Sequence, residues 1–387
     1  MNTLTRLYGK FFTISIILSP ILNMYGMSEK INTFTYREIV MIIMSILGLI
    51  IVYGGNLKLI FDNKYLFIII YVLIIIISVS VNIFYGNVTS ILRVVRYLLI
   101  LFYVFYFSKH FFDYKLAFKV YRFMVIIATL FIFAQVISAN LFSYDLKGFI
   151  SFLPLRSQDL SISNGLLRYY SIFEEPGYYG MIVSGFLIIA LFKHRISIGL
   201  IVLIGLASFL STATTAIVLF IVSIIFYLIF QLVNINKNQV RKILLLLILL
   251  AGLIGTFYIF TLLPQYQYVM IRINNGVSVF RRFEGYYTIF DDIRNFNFLQ
   301  VLFGNGMSSY SISGYASVFI AFGMFGLMTI LMMFFHFFTQ VSITSKILIL
   351  VFLIINIGNV EFFGNASTLL IFTSFILVDF KKEGIYK

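Results

Sequence analysis

YLFIIIYVLIIIISVSVNIFYG, Tyr65 to Gly86, runs for 22 residues without a charge. A helix that crosses a bilayer needs about 20 mostly apolar residues, within a range of about 17–25. The stretch meets that requirement outright and fixes the expectation for the rest of the chain. On the same criterion four more candidates lie in the first half, at about Phe11–Met27, Ile39–Gly55, Ile91–Ser108 and Val120–Phe142. Four follow at about Gly177–Phe192, Ser197–Ser211, Ala213–Val233 and Ile243–Leu263. The last three are about Gly314–Phe338, Ile347–Phe362 and Ala366–Phe380. The expected fold is therefore an all-α integral membrane protein of about twelve transmembrane helices. The junctions at Ser211–Ala213 and Phe363–Asn365 leave almost no linker and are the weakest points of the count.

Composition agrees. Of 387 residues 61% are hydrophobic and 11% charged, with 46 Phe and 26 Tyr. Soluble domains carry about a quarter charged residues, and one soluble core cannot enclose this much apolar surface. There is no Cys, which removes disulfides, thiolate metal sites and a cysteine nucleophile. The net charge of +14 would point to nucleic acid in a soluble protein. In a membrane protein it raises instead the question of which side carries it. Arg6 and Lys10 before the first apolar run resemble the start of a signal peptide, and the eleven further spans favour an uncleaved signal anchor.

With the N-terminus in the cytoplasm and twelve alternating spans, the inner segments hold seventeen basic and four acidic residues. The outer segments hold nine basic and ten acidic residues, and Arg93 and Arg96 fall inside the fourth span. Nearly all of the surplus is on the inner face, as the positive-inside rule requires. Both termini are then cytoplasmic. Two outer loops are long, about 143–176 and 264–313, and loops of that length in a compact protein are usually functional or disordered. In the second, Val279, Phe283, Tyr286, Tyr287, Phe290 and Ile293 fall on one helical face. That spacing predicts an amphipathic helix lying on the outer surface. The chain otherwise reads as a single polytopic domain with no repeat of 20–50 residues.

The first long loop ends in LLRYYSIFEEPGYYG, Leu166 to Gly180. Pro176 suits the first turn of a helix, where its missing N–H is not needed. Arg168 is a candidate phosphate ligand, and Glu174 or Glu175 a candidate base. Alternatively both carboxylates only complement the positive end of the helix. The two long loops together hold six Arg (Arg156, Arg168, Arg272, Arg281, Arg282 and Arg294) against one Lys, Lys147. The cytoplasmic segments are the reverse, thirteen Lys against four Arg. Topology asks for no such bias, whereas the planar fork of Arg grips phosphate bidentately. Arg281 with Glu284 equally makes an ordinary surface pair.

VLFGNGMSSY, Val301 to Tyr310, carries Gly304 and Gly306, which permit a tight turn or a close backbone approach. The pattern is not a dinucleotide or P-loop fingerprint. Arg93 and Arg96 share one face of the fourth span near its outer end; they serve a site within the membrane or snorkel to the interface. His110, His194 and His336 all fall in or near cytoplasmic segments, so no outer His is at hand as base or metal ligand. The outer loops lack a DxD motif, and the chain lacks a Walker motif.

Taken in order, these segments resemble the bacterial O-antigen polymerases (Wzy type), which belong with the O-antigen ligases to one superfamily of membrane glycosyltransferases. The resemblance rests on RYYSIFEEPGYYG (168–180), the Ser/Thr-rich SFLSTATTAIVLF (208–220), and RRFEGYYTIFDDI, VLFGNGMSSY and FIAFGMFGL within 281–327. It covers about a third of the chain. Ligases typically show a His just before the helix that follows the Gly-x-Gly turn. SISGYASVFIAFG (311–323) has none, which favours polymerase over ligase. The resemblance implies a GT-C-like membrane fold at the inner membrane with a periplasmic site and short amphipathic helices in its two long loops. It implies metal-independent, cofactor-free transfer of a glycan from undecaprenyl diphosphate to a second lipid-linked repeat unit. Arg168, Arg281 and Arg282 would then hold diphosphates, with Arg93 and Arg96 as helpers. Glu175 or Glu174 would be the general base, Tyr169, Tyr170 and Tyr286 would stack on sugars, and Gly304 and Gly306 would shape the turn beside them. The implied partners are the two lipid-linked glycans, membrane lipids, a chain-length regulator (Wzz type) and a flippase (Wzx type). The alternatives are an O-antigen ligase and a lipid-linked oligosaccharide flippase.

Overall fold

The computed structural model describes residues 3–24, 35–54, 66–84, 91–142, 169–173, 175–194, 196–233, 293–306, 314–359 and 367–383, with isolated positions such as Tyr144, Tyr266 and Tyr286. Among them the chain is helical, with no strand. Six helices are long and apolar enough to cross a membrane: Leu66–Phe84, Val94–Phe111, Tyr114–Phe142, Pro176–Lys193, Thr214–Gln231 and Gly314–Gln340. Three shorter apolar helices accompany them, at Ile198–Leu210, Ile343–Gly358 and Ser367–Phe380. Lipid offers backbone groups no hydrogen-bond partner, so even Ile-rich runs close their bonds within a helix. The protein is an α-helical membrane protein. Most of the expected span at 243–263 and most of both long loops lie outside the described residues.

The chain forms two compact units that interleave in sequence. Unit 1 comprises Met1–Ser19, Arg37–Ala117 and Val279–Lys387, and unit 2 comprises Pro20–Tyr36 and Phe118–Ser278.

Unit 1 begins with α1 (Thr3–Ile17), which breaks before α2 (Ser19–Met24), whose residues from Pro20 onward belong to unit 2. The first apolar run was expected to be one helix from Phe11. It starts earlier and is interrupted because Pro20 has no N–H to continue the ladder. Next come α3 (Tyr36–Gly54), α4 (Leu66–Phe84) and α5 (Ile91–Phe102). From α5 the chain passes through a π-helical turn, Tyr103–Phe107, into α6 (Ser108–Phe111). The Tyr103 hydroxyl meets Ser15 Oγ at 2.6 Å, and Phe12, Phe107 and Phe111 stack around Tyr8. α7 (Tyr114–Phe142), whose residues from Phe118 onward belong to unit 2, starts earlier than the apolar run predicts. Asp113 Oδ1 accepts the Lys115 and Leu116 N–H groups at 2.9 and 3.1 Å and caps the extra turn.

In unit 2, α8 (Pro176–Lys193) is buried along most of its length and α10 (Thr214–Val233) packs beside it. Between them in sequence lies α9 (Ile198–Leu210), whose N-cap Ser197 accepts from Leu200 N–H. Gly180 meets the backbone of Ala216 so closely that a methyl there would overlap it. Further along, Phe192 rings meet Tyr227 and Phe230. α8 and α10 therefore run parallel with their starts side by side. Tyr121 donates to the Ile182 carbonyl, and the Thr129 and Tyr179 hydroxyls meet at 3.0 Å. In lipid such bonds average about 0.6 kcal/mol each, so close packing of small residues carries most of the association.

Unit 1 resumes with α11 (Phe298–Phe303), opened by a complete capping box between Asn297 and Gln300. α12 (Gly314–Gln340), α13 (Ile343–Gly358) and α14 (Ser367–Glu383) follow. Asp379 on α14 accepts from Ser342 N–H at 3.0 Å, from Ser345 Oγ at 2.7 Å and from Ser342 Oγ, so the start of α13 is capped by its neighbour.

Candidate functional site

The segment after Arg168 is a built turn. Tyr169, Tyr170, Ile172 and Phe173 are buried, and Ser171 is held at φ 62°. A non-glycine residue reaches that region at a cost of about 1–2 kcal/mol. Here two bonds hold it, from Ser171 N–H to Gln135 Oε1 at 2.9 Å and from Ser171 Oγ to the Ala128 carbonyl at 2.6 Å. The Tyr169 hydroxyl accepts from Asn140 at 3.4 Å. Both tyrosine rings thus support the turn from inside unit 2, and their faces are not exposed. The turn delivers Glu175 in an extended conformation to the N-cap position of α8, with Pro176 in the first turn as expected. Glu175 is exposed, and its side chain makes no capping bond. Arg168 and Glu174 lie outside the described residues.

The start of α8 meets the start of α10. A Cβ on Gly177 would stand 3.9 Å from Thr215 Oγ1. α10 is entered through Ser211, Thr212 and Ala213, all buried, with Thr212 at φ 55°. The Ser/Thr-rich segment is therefore a tight reversal whose hydroxyls turn onto the local backbone: Ser211 Oγ donates to Ser208 O and Thr212 Oγ1 to Ser211 O, each at 2.8 Å. Two helix N-termini lie together here, and Glu175 immediately precedes the first of them.

In unit 1 the Gly-x-Gly turn docks on a broken helix. Gly304 and Gly306 have φ of 83° and 82°, and α12 is interrupted at Gly323, φ 66°. The break releases two carbonyls. Asn305 N–H donates to Ile320 O at 2.6 Å, while Gly306 N–H and Ser78 Oγ donate to Ala321 O at 3.2 and 2.8 Å. A Cβ on Gly304 would overlap the Ala321 backbone, and one on Gly323 the Leu302 backbone. The glycines expected to lie near substrate thus have a packing task in this structure. Tyr286 reaches the same end of α12: with Ile293 and Phe296 it packs on Ala316 and Ile320, and its hydroxyl donates to Ile357 O at 2.9 Å. Those two positions of the expected amphipathic face do pack together; its other residues, and Arg281 and Arg282, lie outside the described ones.

Arg96 has a specific partner. Its Nε and Nη2 donate to Glu38 Oε1 at 2.9 and 2.6 Å. Arg37 Nη2 reaches the same oxygen at 2.7 Å, and Arg37 Nη1 reaches Ser367 Oγ at 3.3 Å. The Arg37 and Glu38 side chains are fully buried, and that of Arg96 is 22% exposed. Simple snorkelling does not describe Arg96. The Arg93 side chain lies outside the described residues. In the sequence, Arg37 and Glu38 stand only as two charges of an outer segment. The available signal was an adjacent Arg-Glu pair at the threshold of an apolar run.

Among the described residues no three His, Asp or Glu side chains converge as metal ligands would. Glu175 and its turn belong to unit 2; Arg96, Tyr286 and the glycine turn belong to unit 1. Compared with protein-family models, curated proteins and solved structures, the chain matches none.

Proposed function

We propose that the protein is a membrane glycosyltransferase of the O-antigen polymerase kind, with about twelve spans in a GT-C-like arrangement, cytoplasmic termini and a periplasmic site at the inner membrane. One observation carries the reading. Every described residue with positive φ falls inside the three segments that bear the family resemblance: Ser171 in the first, Thr212 in the second, and Gly304, Gly306 and Gly323 in the third. Unusual backbone collects at working sites, where surrounding bonds hold it in place.

The chemistry follows from the groups available. A hydroxyl of the acceptor's terminal sugar attacks the anomeric carbon of the donor glycan, and the bond from that carbon to the lipid diphosphate breaks. Glu175, exposed at the mouth of the first turn, takes the hydroxyl proton; Glu174 is its neighbour in sequence and the alternate base. Charge developing on the diphosphate is met by Arg168, Arg281 and Arg282, with Arg93 and Arg96 as helpers. Fixed guanidiniums supply such stabilisation without reorganising during the reaction. Tyr169 and Tyr170 set the turn, and Tyr286 offers an aromatic face.

Deleting the gene and displaying the surface glycan on a gel tests the proposal. The expected pattern is a single repeat unit in place of the ladder, restored by the intact gene. An unchanged ladder contradicts the proposal, and accumulation of unattached polymer points to a ligase.

A further inference from the structure

We propose that Arg37, Glu38, Arg96 and Ser367 form a binding site for a phosphate group carried by a membrane lipid. The cluster gathers the starts of two long helices, α3 with Arg37 and Glu38 in its first turn and α14 with Ser367, around Arg96 of α5. Helix starts and guanidiniums are both matched to phosphate, the first by aligned N–H groups and the second by a planar fork. Neither feature alone makes a site. The independent observation is Arg37: its side chain is wholly buried, and its Nε–H has no hydrogen-bond partner. A buried donor left unmatched on a charged group is costly, and native structures seldom tolerate one without a reason.

Glu38 Oε1 accepts from both guanidiniums and so fixes their planes relative to one another. Among the described residues of the cluster, one carboxylate stands against two guanidiniums. Arg96 is its accessible edge. A lipid phosphate arriving there meets the outer part of the Arg96 guanidinium, whose plane Glu38 has already set. The ligand is lipid-borne because Arg96 lies within a helix suited to a membrane span, Val94–Phe111, where a headgroup phosphate arrives with its chains already in the bilayer. Two sources share this chemistry, a phospholipid headgroup and a polyprenyl diphosphate. Phosphate binding here does not depend on glycosyl transfer and is measured without turnover.

The test uses the detergent-purified full chain, with binding followed by native mass spectrometry and by thermal shift. The probes are phosphatidic acid, a polyprenyl diphosphate, diacylglycerol and inorganic diphosphate. The expected result is retention of a phosphate-bearing lipid over diacylglycerol, weakened about tenfold or more in Arg96→Gln, as expected for a lost charge-assisted bond. Arg96→Gln leaves Glu38 paired with Arg37, and Arg96→Lys, which keeps the charge without the fork, is expected to fall between the two. Glu38→Gln adds the sharpest arm. A merely structural Glu38 predicts only lower stability, whereas the proposal predicts a larger rise in melting temperature with the phosphate lipid than in wild type. Preference for polyprenyl diphosphate identifies a carrier lipid, and preference for phosphatidic acid a bilayer phospholipid; both support the site. Equal retention by wild type and Arg96→Gln, no preference over diacylglycerol, or binding of inorganic diphosphate alone overturns it.

Discussion

Glu38 and Glu175 each stand at the start of a long helix, the first wholly buried between two guanidiniums, the second exposed and without a capping bond. A buried carboxylate that pairs two cations cannot be removed cheaply, because the guanidiniums stay buried without it. Glu38→Ala is expected to cost about 3–5 kcal/mol in thermal unfolding. Glu175→Gln removes nothing that the fold uses, so its stability change should stay within about 0.5 kcal/mol. If Glu175 is the base, polymer formation falls by about 10²–10⁴-fold. Normal stability with an unchanged ladder in Glu175→Gln rejects that role. Glu175 was legible in the sequence because Pro176 marks the helix start beside it. Glu38 was not, because its partner Arg96 lies 58 positions away and local patterns carry no record of such pairs.

At the scale of elements, the most telling feature is the contact between the 304–306 turn and the break in α12. Each side requires a glycine, for its φ and for the closeness of the other backbone. Gly304→Ala and Gly323→Ala are each expected to destabilise by about 3 kcal/mol or more, as overpacking against backbone does. Combined, they should cost less than their sum, since both relieve into the same gap. Thermal melts of the singles and the double variant in detergent measure this; strict additivity contradicts the shared contact. Asp379→Ala should cost about 1–3 kcal/mol through the orphaned donors of Ser342 and Ser345. Helix positions were largely legible: apolar runs and Pro176 fixed α4, α8 and α12 closely. The break at Gly323 and the π-helical turn at Tyr103–Phe107 were not. Both sit inside uninterrupted apolar sequence, where hydropathy cannot separate a regular turn from a broken one. Ser171 was hidden because its φ is held by bonds to Gln135 and Ala128, more than thirty positions away in sequence.

For the molecule as a whole, the charge distribution predicts an orientation that can be read directly. The chain has no Cys, so single cysteines report without background. Glu175→Cys and Lys193→Cys mark opposite ends of α8. In intact cells a membrane-impermeant maleimide, given passage across any outer membrane, should label the first and spare the second until the inner membrane is opened. Reversed labelling contradicts the proposed topology. The central claim concerns chemistry and is tested most directly with the purified full chain in lipid vesicles, supplied with a polyprenyl-diphosphate-linked repeat unit and analysed by gel. Progressive lengthening of the lipid-linked glycan with release of lipid diphosphate, lost in Glu175→Gln, is the predicted result. Intact repeat units after prolonged incubation, with correctly folded protein present, would contradict it.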